Sequence, residues 1–149
     1  MSRFRTVVVP LDFSSHASEA LELAIDLLRG SDATIHLVHA YEVPFNTLPP
    51  YGIAVPDEFF TQVCDAAARR LAKASQSVDA AGLRCETHVV PGPAADAIVE
   101  VVRQVGADLV VMSTRGLTGL KHLLLGSVAE RTLRNAPCPV LTVRPRERA

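Results

Sequence analysis

The sequence predicts an α/β fold, an open parallel sheet with helices on both faces, built as one domain. Three observations predict it. Five short strand-like runs alternate with four stretches of helical period along the chain. The first and fourth of those runs are continuously apolar, as strands covered on both faces are. No shift in composition across the 149 residues marks a second domain, so residues 1–149 read as a single unit. Such alternation requires parallel strands joined by right-handed crossovers.

Taken in order, Thr6 to Val9 is a β-branched run stopped by Pro10 and reads as a buried strand. From Ser15 the period changes: Ala17, Ala20, Leu21, Ala24, Leu27 and Leu28 fall on one helical face, with Ser14 or Ser15 as N-cap and Gly30 as the stop. Thr34 to Ala40 is the second strand, followed by a loop with four prolines from Tyr41 to Pro56. Pro56-Asp57-Glu58 opens a long helix to about Ala81, ended by Gly82, and Cys85 to Val90 is the third strand. Gly92-Pro93 turns into a helix whose Ala94, Ile98, Val101, Val102 and Val105 share a face, closed by Gly106. Leu109 to Met112 is the fourth strand. Ser127 starts a helix to about Asn135, Ala136-Pro137-Cys138-Pro139 breaks it, and Val140 to Val143 is the last strand.

Bulk properties exclude several classes. Hydrophobic residues make up 48% and charged residues 21%, ordinary for a soluble globular chain. Fifteen basic and sixteen acidic side chains leave a net charge of −1, which argues against nucleic acid or an anionic membrane as partner. The basic residues that cluster, Arg3 and Arg5, then Arg144, Arg146 and Arg148, read as solvated termini. Cys64, Cys85 and Cys138 are odd in number and form no CxxC pair, so buried reduced thiols are expected rather than a disulfide framework or a zinc site. With no signal-peptide h-region and no membrane-length apolar run, a cytoplasmic protein is expected.

On an open parallel sheet, ligands bind beyond the carboxyl ends of the strands where the strand order reverses. The first strand ends at Asp12, between strand terminus and helix start. There a carboxylate can accept from a ligand's amino or hydroxyl group, hold a cation, or interact with the positive end of the following helix. Position alone does not choose. The fourth strand leads into Ser113 to Glu130, S-T-R-G-L-T-G-L-K-H-L-L-L-G-S-V-A-E. It carries neither a P-loop nor a GxGxxG fingerprint. Gly116 and Gly119 would let the backbone approach a ligand and turn with positive φ, and Gly126-Ser127 enters a helix whose N-terminus suits phosphate. Thr114, Arg115, Lys121 and His122 would either neutralise phosphate charge or face solvent. A capping box, Ser127 to Glu130, accounts for those two residues without any ligand.

Elsewhere the chemistry-bearing residues are unpaired in sequence. His36 and His39 stand three apart on a strand, point to opposite faces and cannot jointly ligate a metal; each reads as a core or edge histidine. No Ser or Cys nucleophile is visibly paired with a base, and no HExxH helix is present. Asp96 and Glu100, one turn apart, read as a polar helix face. No chemical step is named by these residues.

Four stretches together resemble the universal stress protein A family along nearly the whole chain. They are V-V-V-P-L-D-F-S-S-H-A at Val7 to Ala17, I-H-L-V-H-A at Ile35 to Ala40, A-D-L-V-V-M-S-T-R-G at Ala107 to Gly116, and L-L-L-G-S-V-A-E-R-T-L-R-N-A-P-C-P-V-L-T-V at Leu123 to Val143. The resemblance implies a Rossmann-like five-stranded sheet of order 3-2-1-4-5 with its switch point between strands one and four. It also implies a homodimer in which the last strands, Val140 to Val143, pair antiparallel, which would cover an otherwise exposed edge.

An ATP-binding branch of that family carries G-x2-G-x9-G-S/T after the fourth strand. Here Gly126-Ser127 end the pattern, Leu117 to Leu125 are its nine intervening residues, Gly116 is the middle glycine, and Ser113 stands where the first glycine would. By the family's pattern, Asp12 and Ala40 lie against adenine with Pro10 beneath, and Met112 and Ser113 border the nucleoside. Gly116, Gly126, Ser127 and Val128 contact the phosphates, and Leu11 and Arg115 complete the set. Mg2+ comes with the ATP, held through its phosphates. If the first position needs positive φ, Ser113 costs about 1 kcal/mol; if it lets backbone approach the ribose, its hydroxymethyl group crowds the sugar or hydrogen-bonds to it.

Three functions follow from the resemblance. The first is an ATP-binding signalling or stress-adaptation homodimer without efficient catalysis. The second is a dimer of the same fold that binds no ATP and meets a protein partner through the 41–56 loop, with Phe45, Tyr51 and Ile53; that loop would equally serve as a lid. The third, ranked last because Asp12 is the only carboxylate near the site, is a slow ATPase or nucleotidyl-transferase.

Overall fold

The computed structural model describes residues 3–42, 56–116 and 125–146. Its elements are β1 (Thr6–Pro10), α1 (Ser15–Leu28), β2 (Thr34–Tyr41), α2 (Asp57–Ala80), β3 (Arg84–Pro91), α3 (Ala94–Val105), β4 (Leu109–Ser113), α4 (Ser127–Asn135) and β5 (Val140–Val143). The strands form one five-stranded sheet of order β3-β2-β1-β4-β5. Every neighbouring pair is parallel. The expected architecture is the observed one, with β1 and β4 flanking the switch point. The proline-rich loop lies largely outside the described residues, as do Gly119, Lys121 and His122.

Alternation along the strands divides the core in two. Val7, Val9, Ile35, Leu37, Leu109 and Val111 face α1 and α2, packing on Leu21, Leu28, Leu71 and Val78. Val8, Val38, Val110 and Met112 face α3 and α4, packing on Ile98, Val101, Val102 and Ala129. Burying a side chain of this size contributes about 1.5–3 kcal/mol, so both layers of helices are held mainly by apolar contact.

Two details depart from the expected helix faces. On α1 Ile25 is buried while Leu27 is 49% exposed. At about 100° per residue, Leu27 stands at the margin of the stripe centred on Ala17, Ala24 and Leu28, and in the last turn that margin faces outward. On α3, Ala95, Ala97 and Val99 are buried, and Ala94 and Val105 only half-buried. The cysteines are free thiols but half-buried rather than buried. Asp96 and Glu100 form part of a polar face, paired with Arg131 and Gln104 respectively.

Candidate functional site

The chain leaves β1 through a tight turn. The Leu11 N–H donates to Val38 O at 2.8 Å, pinning the turn to β2. Asp12 Oδ1 accepts the Ser14 N–H at 3.0 Å. Ser14 is the N-cap of α1, its Oγ accepting the Ala17 N–H at 3.1 Å. Between them Phe13 has φ 64°, alone in this region among the described non-glycine residues. That conformation costs about 1–3 kcal/mol, offset by contacts that the Phe13 ring makes with His39 and Arg70. The His39 ring centroid is 4.5 Å from that of Phe13, and Arg70 Cζ is 4.1 Å from the Phe13 centroid. His39 Nδ1 is 2.8 Å from Leu11 O, so Nδ1 carries a proton and donates to that carbonyl.

Across the switch point, β4 ends at Ser113, paired with Val143 of β5. Ser113 does not adopt positive φ, so a strand residue occupies this position without strain. Its Oγ accepts the Arg115 N–H at 3.2 Å and fixes the start of the loop. Thr114 donates its N–H to Val143 O at 3.0 Å and accepts the Gly126 N–H at 2.6 Å. Its own Oγ1 is buried and has no hydrogen-bond partner among the described residues.

The two described loop glycines are needed for closeness, not for the expected positive φ, which Gly116 does not show. A Cβ on Gly116 would stand 2.5 Å from Asp12 Oδ2, and one on Gly126 would stand 2.9 Å from Thr114 O. Both distances are too short for a real contact.

The capping box is also corrected. The N-cap of α4 is Gly126, and no side chain caps it; Ser127 is already the first helical residue. The Glu130 N–H bonds to Gly126 O, while the Glu130 carboxylate pairs with Arg134 at 2.9 Å. Glycine displaces Ser127 from the cap because Gly126 must lie against Thr114. The Ser127 hydroxyl is therefore not spent on capping, and among the described residues no side chain caps the first turn of α4.

These segments enclose a cavity of about 400 Å³ over the carboxyl ends of β1, β2 and β4. Its lining includes Pro10, Leu11, Asp12, Ala40, Met112, Ser113, Arg115, Gly116, Gly126, Ser127 and Val128, the residues that the family resemblance names. Val38, Ile98 and Ala129 add apolar wall, and the α4 N-terminus closes one side. Asp12 and Gly116, expected at opposite ends of a nucleotide, are neighbours. His39, read as a core or edge residue, lines the cavity as well. Its place at the carboxyl end of a strand was the available signal.

A cavity bounded by an apolar wall, a carboxylate and a bare helix N-terminus lies at the switch point of a doubly wound sheet, the place where ligands bind on folds of this class. The universal stress protein family model matches residues 3–144. A universal stress protein of Methanocaldococcus jannaschii, MJ0531, is 36% identical over 143 residues, covering 95% of this chain and 82% of that protein. The chain belongs to the universal stress protein family. The solved structure of hypothetical protein MJ0577 has a TM-score of 0.85 over 97% of this chain and 98% of that one, at 23% identity, a likeness of fold. A universal stress protein solved in complex with cAMP is 29% identical, with a TM-score of 0.65 over 94% of this chain and 96% of that one.

Proposed function

We propose that the switch-point cavity binds ATP, and that the protein acts as a nucleotide-responsive signalling or stress-adaptation module without efficient catalysis. The observation that carries this reading is the uncapped N-terminus of α4 opening into an otherwise largely apolar cavity. Uncapped N–H groups and the helix dipole favour a phosphate there, with the Ser127 hydroxyl as a further donor. The apolar stretch between Val38, Ala40, Ile98 and Met112 suits a nucleobase, and about 400 Å³ falls in the range of small-ligand sites. Asp12 accepts from an amino or hydroxyl group of the nucleoside. Mg2+ bound through the phosphates would offset their charge beside the Asp12 carboxylate. The cAMP-bound relative supports a nucleotide as the ligand class.

The working unit in this reading is a homodimer joined along β5, and its cellular place is the cytoplasm. Among the described residues β5 pairs only with β4, and Leu141 at this edge is 37% exposed. An edge of this kind is covered when a second copy adds its own strand. Among the described residues no helix is long and apolar enough to cross a membrane. A downstream protein partner would read the bound state.

The test is thermal unfolding with and without Mg-ATP. A ligand at one hundred times its Kd stabilises by about 2.7 kcal/mol, so saturating Mg-ATP should raise Tm by several degrees, and Gly126→Val should lose the shift. An unchanged Tm for the wild type at millimolar Mg-ATP would count against the reading.

A further inference from the structure

The β2–β3 register brings His36 together with Glu86 and His88, about fifty residues further along the chain. His36 lies opposite Glu86, and Val38 opposite His88. Residues in register, and residues two apart on one strand, point to the same face. His36, Glu86 and His88 therefore all stand on the face that Val38 shares with α3. His36 Nδ1 is 3.0 Å from His88 Nε2 and 3.6 Å from Glu86 Oε2. One ligand atom from each of the three lies within 4.8 Å of the other two. Among the described residues this is the one cluster of three His, Cys, Asp or Glu groups that could hold a metal ion.

We propose that His36, Glu86 and His88 form a binding site for a single divalent transition-metal ion of the zinc type. Tetrahedral zinc with bonds of about 2.0–2.1 Å places its ligand atoms roughly 3.3 Å apart, between the 3.0 and 3.6 Å found here. Two imidazole nitrogens and one carboxylate oxygen are a borderline donor set, suited to zinc rather than to Mg2+ or Ca2+. Burial is graded to match. The His36 side chain is 7% exposed and set rigidly in the sheet, whereas Glu86 is 65% exposed and can swing to complete the site. Burial also holds the His36 ring below its ordinary pKa, against the opposing pull of Glu86. Neutral imidazole is the form that ligates. Water would fill the fourth position on the open side.

The site adjoins the apolar end of the cavity, since Val38 lines the cavity and stands in register with His88. Ala40, further along β2, is four residues from His36, about 13 Å along the strand. The site's physical effect is to clamp β3, which among the described residues is an edge strand paired only with β2, by ligands from both strands. A metal that binds the folded chain and not the unfolded one stabilises it.

The experiment is a calorimetric titration of untagged, metal-stripped and nucleotide-free protein with ZnCl2, repeated with CoCl2 followed by visible absorption. The expected result is one ion per chain, a Zn2+-dependent rise in Tm, and at least tenfold weaker binding in His88→Ala and in Glu86→Ala. Both variants change side chains that are not fully buried, and they should keep the wild-type circular dichroism and Mg-ATP response. That last readout separates this proposal from the nucleotide reading. Absence of saturable Zn2+ binding, or affinity unchanged in both variants, would overturn it.

Discussion

Asp12 Oδ2 occupies the space where a side chain on Gly116 would begin, 2.5 Å from the Cβ that a substitution would add. The two strand ends of the switch point are thus fitted to one another, the carboxylate of the first against the bare backbone of the second. Gly116→Ala should displace the Asp12 carboxylate and lower Mg-ATP affinity at least tenfold, about 1.4 kcal/mol, with the melting temperature nearly unchanged. Titration calorimetry beside a melting curve reads both quantities.

Gly126 behaves differently because its neighbour is backbone. A Cβ there meets Thr114 O at 2.9 Å and opposes the 2.6 Å bond from the Gly126 N–H to that oxygen. Gly126→Val should therefore lose nucleotide binding and also cost about 1–3 kcal/mol of stability. A Gly126→Val protein that melts like the wild type would show that the loop does not need this closeness.

Two serines at helix starts should separate capping from ligand binding. Ser14 caps α1, so Ser14→Ala should cost about 1 kcal/mol in denaturant unfolding. Ser127 caps nothing, so Ser127→Ala should change stability by less than about 0.5 kcal/mol and weaken ATP more than adenosine. Equal losses of stability in the two variants would restore the capping-box reading.

Much of this was legible in the sequence, for reasons visible in particular residues. Val7 to Val9 and Leu109 to Met112 are unbroken apolar runs, and only a sheet covered on both faces accommodates them. The position of Asp12 just beyond the first of these runs, and of Gly126-Ser127 at the helix start that follows the second, pointed to the cavity. Contacts between strands distant in the chain were not legible. Nothing in the local pattern told that Gly126 lies on Thr114, which moves the cap from Ser127 to Gly126, or that His88 comes to His36. Nor did spacing show the positive φ of Phe13, which its ring contacts with His39 and Arg70 sustain. Leu27 was misplaced because it stands at the margin of its helical stripe.

Ser113 is the departure from the family's ATP-binding pattern, and its geometry predicts the effect of reversing it. Ser113 sits in strand conformation and its Oγ holds the Arg115 N–H. Ser113→Gly should improve ATP affinity less than threefold while costing about 0.5–1 kcal/mol of stability. A gain of tenfold or more would mean that the hydroxymethyl group obstructs the nucleoside.

The proposed dimer is tested at β5. Leu141→Glu would set two carboxylates near each other across the two-fold axis, and should convert a dimer to monomer in sedimentation equilibrium at unchanged secondary structure. A wild-type protein that sediments as a monomer would remove the β5 assembly.

The most direct measurement of the central claim is a calorimetric titration of folded, nucleotide-free protein with Mg-ATP, with AMP titrated in parallel. The account predicts saturable binding clearly tighter for ATP than for AMP, because the additional phosphates meet the N-terminus of α4. Equal affinity for the two nucleotides, or no heat from either, would contradict it.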